Sequence, residues 1–244
     1  MAKTAERVPL SDLREEALRV LHAARERDLI VRATGGLAVA LRCPSAIRPP
    51  LAREHKDLDV IGLSSERKEI DALFVEHGYT PDKEFNALQG HQRLLHYDHV
   101  HGRQLDTFLD RFQMCHTLEL KNRLALDELT LTPADLLLSK LQVVETNERD
   151  LKDMIALLLD ADVDVGRVAR VCADDWGWWR TSTEVLRNVE AYAASLEGVD
   201  HDVLRSRITE LNEQIEAAPK SLRWRARAKI GDRLRWYELP EENE

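Results

Sequence analysis

The strongest constraint on this chain is a pair of motifs in a fixed order. Gly35-Gly36 heads the apolar run Leu37-Ala38-Val39-Ala40-Leu41, and His55-Lys56-Asp57-Leu58-Asp59-Val60-Ile61-Gly62 follows after a proline-broken loop. The second stretch reads as a strand, because Leu58, Val60 and Ile61 favour β structure and Gly62 and Ser64 end the run. Strand side chains alternate, so Asp57 and Asp59 share a face. Two like charges there repel each other and lose water unless a cation sits between them, and a hard divalent metal with oxygen ligands is the usual solution. A helix entered through glycine brings its unbonded N–H groups close to a phosphate. Either motif alone is ordinary, a turn or a solvated strand end. Together, on strand, helix and strand, they outline a site.

A third carboxylate joins them in Gln104-Leu105-Asp106-Thr107-Phe108-Leu109-Asp110. The segments His91 to His99 and Arg103 to Asp110, separated by Val100-His101-Gly102, read as a hairpin. Neighbouring strands lie ~5 Å apart, so the second of these can bring Asp106 beside Asp57 and Asp59. Asp110 is the rival, but it falls where Arg111 ends the strand.

The remaining chain supplies a frame. Ser11 opens a helix with Leu13, Ala17, Val20, Leu21 and Ala24 as its apolar stripe, and Leu29-Ile30-Val31 reads as the strand that leads to Gly35. Ser64 or Ser65 caps a helix running to about His77, stopped by Gly78. From Thr132-Pro133, a cap followed by proline at the first helical position, the pattern is helical to the end, with breaks near Asp162, Asp174, Gly198 and Pro219. Lys140 stands at the edge of the stripe Leu137, Leu141 and Val144, where it reads as a snorkelling side chain or a phosphate ligand.

These residues resemble the nucleotidyltransferase superfamily that includes DNA polymerase β, whose pattern is Gly-Gly or Gly-Ser at a helix start, Asp-x-Asp on the next strand and a third carboxylate later. Arg53-x-His55-x-Asp57-Leu58-Asp59 looks like the lincosamide and aminoglycoside nucleotidyltransferases. Pro133-Ala134-Asp135-Leu136-Leu137-Leu138-Ser139-Lys140-Leu141, with Arg149-Asp150-Leu151-Lys152-Asp153, looks like the AbiEii and MenT toxins. The resemblance implies an α+β fold: a nucleotidyltransferase-like mixed sheet flanked by helices over residues 1–130, then a helical C-terminal region over 131–244. It implies Mg2+-dependent transfer of an NMP from an NTP to an acceptor hydroxyl, with Asp57, Asp59 and Asp106 as catalytic residues and metal ligands. Gly35, Gly36, Arg53 and Lys140 are then the nucleotide-binding residues. A toxin-like protein would act on a tRNA 3′ end and have an antitoxin protein as partner. An antibiotic-modifying enzyme would take a small-molecule acceptor, and a non-catalytic nucleotide-binding scaffold is a third reading.

Composition narrows the alternatives. Hydrophobic residues at 43% and charged residues at 32% describe a globular chain. No apolar run approaches the ~20 residues of a membrane span. Met1-Ala2-Lys3-Thr4-Ala5-Glu6-Arg7 lacks an apolar leader, and Cys43, Cys115 and Cys172 form no Cys-x-x-Cys, so a cytoplasmic protein with reduced thiols is expected. The net charge of −9 opposes a general nucleic-acid coat but not a local basic face. Such a face is offered by Lys220, Arg223, Arg225, Arg227, Lys229, Arg233 and Arg235, interleaved with Trp224 and Trp236, which reads as a solvated helix or an RNA contact. Trp176, Trp178 and Trp179 read as core packing or a base-stacking platform. His91, His96, His99 and His101 invite a zinc site, against which strand alternation separates His96 from His99. There is no Gly-x-Ser-x-Gly elbow and no Walker-type phosphate loop.

Overall fold

The computed structural model describes residues 8–239; the leader position Met1–Arg7 lies outside the described residues. The chain divides into two compact units. One comprises Met1–Leu41, Glu54–Phe112 and Glu119–Leu131, the other Arg42–Arg53, Gln113–Leu118 and Thr132–Glu244.

In the first unit, helix α1 (Leu13–Arg25) is capped by Asp12, one residue beyond the expected Ser11. The Asp12 carboxylate accepts from the N–H groups of Arg14 and Glu15. Ala17, Val20, Leu21 and Ala24 are buried along the expected stripe. Strand β1 covers Val31–Ala33 and starts later than the sequence suggests. The reason is local: the Leu29 N–H still bonds to the Ala24 carbonyl, and Asp28 turns the chain at φ 57°, so Leu29 finishes the helix end. Helix α2 (Gly35–Arg42) stops ahead of Pro44, and β2 covers Leu58–Gly62. Helix α3 (Arg67–Glu76) follows a 3-10 turn over Ser64–Glu66 and is ended by Gly78, at φ 92°. Strand β3 (Thr80–Pro81) leads to a short helix absent from the sequence reading, α4 (Lys83–Gln89). The hairpin β4 (Arg93–Asp98) and β5 (Arg103–Leu109) then forms as expected.

These strands form a five-stranded mixed sheet in the order β1-β2-β5-β4-β3, in which β2 and β5 are parallel and the other neighbours antiparallel. One face buries Val60, Leu94, His96, Leu105 and Thr107. His96 meets α3 there, through Asp71 and the edge of Phe74. The opposite face carries the carboxylates. Beyond the sheet, β6 (Arg111–Gln113) and β7 (Thr117–Glu119) form a two-stranded ribbon.

The second unit is helical: α5 (Pro133–Leu141), α6 (Glu148–Asp160), α7 (Val165–Asp174), α8 (Trp176–Ala193), α9 (His201–Ala217) and α10 (Leu222–Ala228). Each begins at a side-chain cap, from Thr132, Asn147, Asp164, Asp175, Asp200 and Ser221 in turn. A cap satisfies an amide that the helix itself leaves unbonded, which is why the breaks fall close to where the sequence reading put them. No helix among the described residues is long and apolar enough to cross a membrane.

Candidate functional site

Asp59 and Asp106 are register partners on β2 and β5. Partners in a parallel pair point to the same side, and the strands are ~5 Å apart, so the two side chains stand next to each other. Asp57, one residue ahead of β2, lies on the same side by alternation, and its Oδ1 accepts the Gln104 N–H at 3.0 Å. It is exposed, Asp59 is half-buried and Asp106 is only 7% exposed.

Gly35 closes this face from the other direction. It sits at φ 65°, and a Cβ built on it would lie 2.3 Å from Asp59 Oδ2. Both the backbone angle and the close approach require glycine. The backbone fixes the contact as well, because the Thr34 N–H donates to the Asp59 carbonyl at 2.9 Å and Ala33 pairs with Val60. The head of α2, whose first amides have no acceptor within the helix, is thereby held against a strand carboxylate. The Thr34 hydroxyl, on a residue 1% exposed, has no hydrogen-bond partner among the described residues.

Asp106 already has a counter-charge, which the sequence reading missed. Arg93 Nε donates to Asp106 Oδ1 at 2.7 Å, and Nη2 donates to Oδ2. The guanidinium lies 5.7 Å from the Phe85 ring centre and 5.1 Å from that of Phe108. The signal was available in the hairpin: Arg93 pairs with Phe108 and Leu95 with Asp106, which makes Arg93 a diagonal, same-face neighbour of the aspartate.

Hard oxygen donors on one face, a cradle that a Cβ would fill and an orphaned hydroxyl suit a divalent cation with a phosphate. Among the described residues, however, no three acidic, histidine or cysteine side chains converge as a metal-holding group. With Arg93 on Asp106, the third carboxylate is engaged elsewhere. Asp110, the rival for the third position, turns at φ 63° and accepts the Ser64 N–H at 3.0 Å and the Ser64 hydroxyl at 2.6 Å. Burial would raise its pKa, but these bonds and Lys121 outweigh that and hold it below the usual carboxylate value. It ties down the turn after β2.

Arg53 and Lys140 belong to the second unit, in an ion cluster. Arg53 forks onto Asp153 at 3.0 and 2.7 Å, and Lys140 Nζ donates to Asp150 at 2.6 Å and contacts Asp153 at 3.0 Å. Burial disfavours the charges of Asp153 and Lys140, yet the attraction of their partners dominates, leaving the Asp153 pKa lowered and that of Lys140 raised. The four hairpin histidines go separate ways. His96 is buried on Asp71, His101 binds Asp98 at 2.8 Å, His99 stacks on Tyr97 and His91 is exposed beside Gln92.

Trp176, Trp179, Trp224 and Trp236 pack together, and Trp178 lies against His116. Trp179 meets Trp176 and Trp224, and Trp236 meets Trp176. The basic segment is partly spent on the same cluster: Arg227 lies 4.7 Å from the Trp176 ring centre, Lys220 lies over Trp224, and Arg223 pairs with Asp175 at 3.1 Å.

No family model and no curated protein matches the sequence. One solved structure that it resembles is the antibiotic-resistance factor ANT(2'')-Ia, at 14% identity and a TM-score of 0.38, over 82% of this chain and 95% of that one. The α+β fold expected from the sequence is present. A glycine-headed helix, Asp-x-Asp at the following strand and a carboxylate on its parallel neighbour occur in the order that the nucleotidyltransferase resemblance implies.

Proposed function

We propose that this chain is a Mg2+-dependent nucleotidyltransferase that moves an NMP from an NTP to an acceptor hydroxyl. The observation that carries the reading is the closure of Gly35 onto Asp59, with Asp106 next in register. Asp57, Asp59 and Asp106 would hold Mg2+, which when bound supplies charge neutralisation at the phosphates and makes the acceptor hydroxyl more acidic. The amides of Gly35 and Gly36 are assigned to the β- and γ-phosphates. Asp106 is assigned the hydroxyl proton as the acceptor oxygen bonds to the α-phosphorus. The α–β bridging bond then breaks, and pyrophosphate leaves. Arg53 and Lys140, the further nucleotide-binding residues that the resemblance implies, carry positive charge that Asp153 and Asp150 pair within the second unit.

Two acceptor classes have support. Exposed Arg225, Lys229 and Arg233 suit an RNA 3′ end, the toxin-like reading with an antitoxin partner. The net charge of −9 suits a cationic antibiotic. Three buried free cysteines favour a cytoplasmic location. The test is incubation with each NTP, radiolabelled at the α-phosphate, with Mg2+ and either total tRNA or a panel of aminoglycosides and lincosamides. Wild type labels one acceptor class, and Asp57→Ala and Asp59→Ala keep the wild-type melting profile yet label neither. Wild-type labelling by both variants overturns the assignment, and no labelling by wild type favours the scaffold reading.

A further inference from the structure

The Arg93–Asp106 pair is not used by the reaction as just described. We propose that Arg93 is a built-in counter-cation, a positioning residue that holds Asp106 on the carboxylate face and yields it to a divalent cation. This rests on the reading of Asp57, Asp59 and Asp106 as metal ligands.

Three observations support competition rather than a fixed strut. Arg93 engages both oxygens of Asp106, so a cation can gain that carboxylate only as the fork opens. The pair is also reachable by solvent from the arginine side, with the Arg93 side chain 28% and that of Asp106 10% exposed. The other arginine–aspartate pair of this hairpin, Arg103 with Asp98, is 9% and 0% exposed, and its arginine also donates to the Leu10 and Ser11 carbonyls. That pair is a clamp. A doubly charged cation attracts the Asp106 carboxylate about twice as strongly as a guanidinium at the same distance, so it can displace the fork. Finally, Phe85 of α4 and Phe108 of β5 both lie within cation–π range of the guanidinium, which gives Arg93 a place to remain once it has left the carboxylate. Without this arginine, the sheet would present Asp57, Asp59 and Asp106 with no neutralising partner on Asp106, a costly state for a residue so nearly buried.

The experiment is a titration of the full chain with Mn2+ as the probe, read by the electron paramagnetic resonance of the free ion. Wild type, Asp59→Asn, Asp106→Asn, Arg93→Gln, Arg93→Lys and the double variant Arg93→Gln/Asp106→Asn are compared, each checked for folding by circular dichroism. Releasing both Asp106 oxygens from the fork tightens Mn2+ binding by about fivefold or more in Arg93→Gln. The double variant shows no such gain over Asp106→Asn. Arg93→Lys, which keeps the charge but loses the fork, gains about twofold and carries the test if Arg93→Gln does not fold. A merely structural arginine would leave affinity unchanged or weaken it, and either result in a folded variant overturns the proposal. Mn2+ binding that survives Asp59→Asn unaltered overturns the metal reading itself, a result distinct from Asp59-dependent binding that is insensitive to Arg93.

Discussion

Gly35 carries the tightest constraint at the scale of single residues. Its φ of 65° costs an L-residue about 1–2 kcal/mol, and the missing Cβ leaves room for the Asp59 carboxylate. Gly35→Ala therefore both strains the backbone and pushes the carboxylate aside. The expected result is a stability loss of about 1–3 kcal/mol by urea unfolding and a fall in nucleotidyl transfer of more than about tenfold, since the displaced group is a proposed ligand. Activity that drops only in proportion to the folded fraction would contradict this. The glycine and the aspartates were legible in the sequence because alternation and helix entry are local rules. Arg93 was not read, although it stands in the same hairpin, because its relation to Asp106 depends on a strand register that runs across the turn.

Among elements, long periodic helices and the hairpin were legible, whereas short pieces were decided by tertiary anchors. Helix α4 has seven residues and is held by Asn86, whose side chain accepts the Leu95 N–H at 2.7 Å and donates to the Leu95 carbonyl at 3.2 Å. No window of periodicity reports such a bond. The ribbon holds a similar case in His116, which meets Thr181 of α8 at 2.9 Å and lies against Trp178. Burial pushes His116 down to about 4, against only partial opposition from Asp175 and Glu238. An unfolded histidine titrates near ~6.5, so between the two values the unfolded chain binds more protons and stability falls as pH falls. The loss reaches about 2 kcal/mol at about pH 5 and is absent above ~7. Urea midpoints at the two pH values should converge less in wild type than in His116→Gln, which has no proton to gain. Equal acid sensitivity of the two proteins would remove His116 from the account.

At the scale of the whole molecule, the sequence divides less simply than its composition suggests. A single cut after residue 130 follows the change from strands to helices, but residues 42–53 and 113–118 belong to the helical unit. Arg53, four residues before Asp57 in sequence, is therefore placed by its fork to Asp153. Likewise the C-terminal basic stretch, read as a solvated face or an RNA contact, uses Arg227 and Lys220 to bind the tryptophan cluster and Arg223 to pair with Asp175. Long-range packing of that kind leaves no periodic trace. The carboxylate face itself can be tested without knowing the acceptor, by calorimetric titration of wild type and Asp59→Asn with non-hydrolysable NTP analogues, with and without Mg2+. Wild type is predicted to bind at least one analogue in a Mg2+-dependent way, and Asp59→Asn to bind it about tenfold or more weakly. Equal, Mg2+-independent binding by the two proteins would contradict the assignment of Asp59 and Gly35 to nucleotide chemistry.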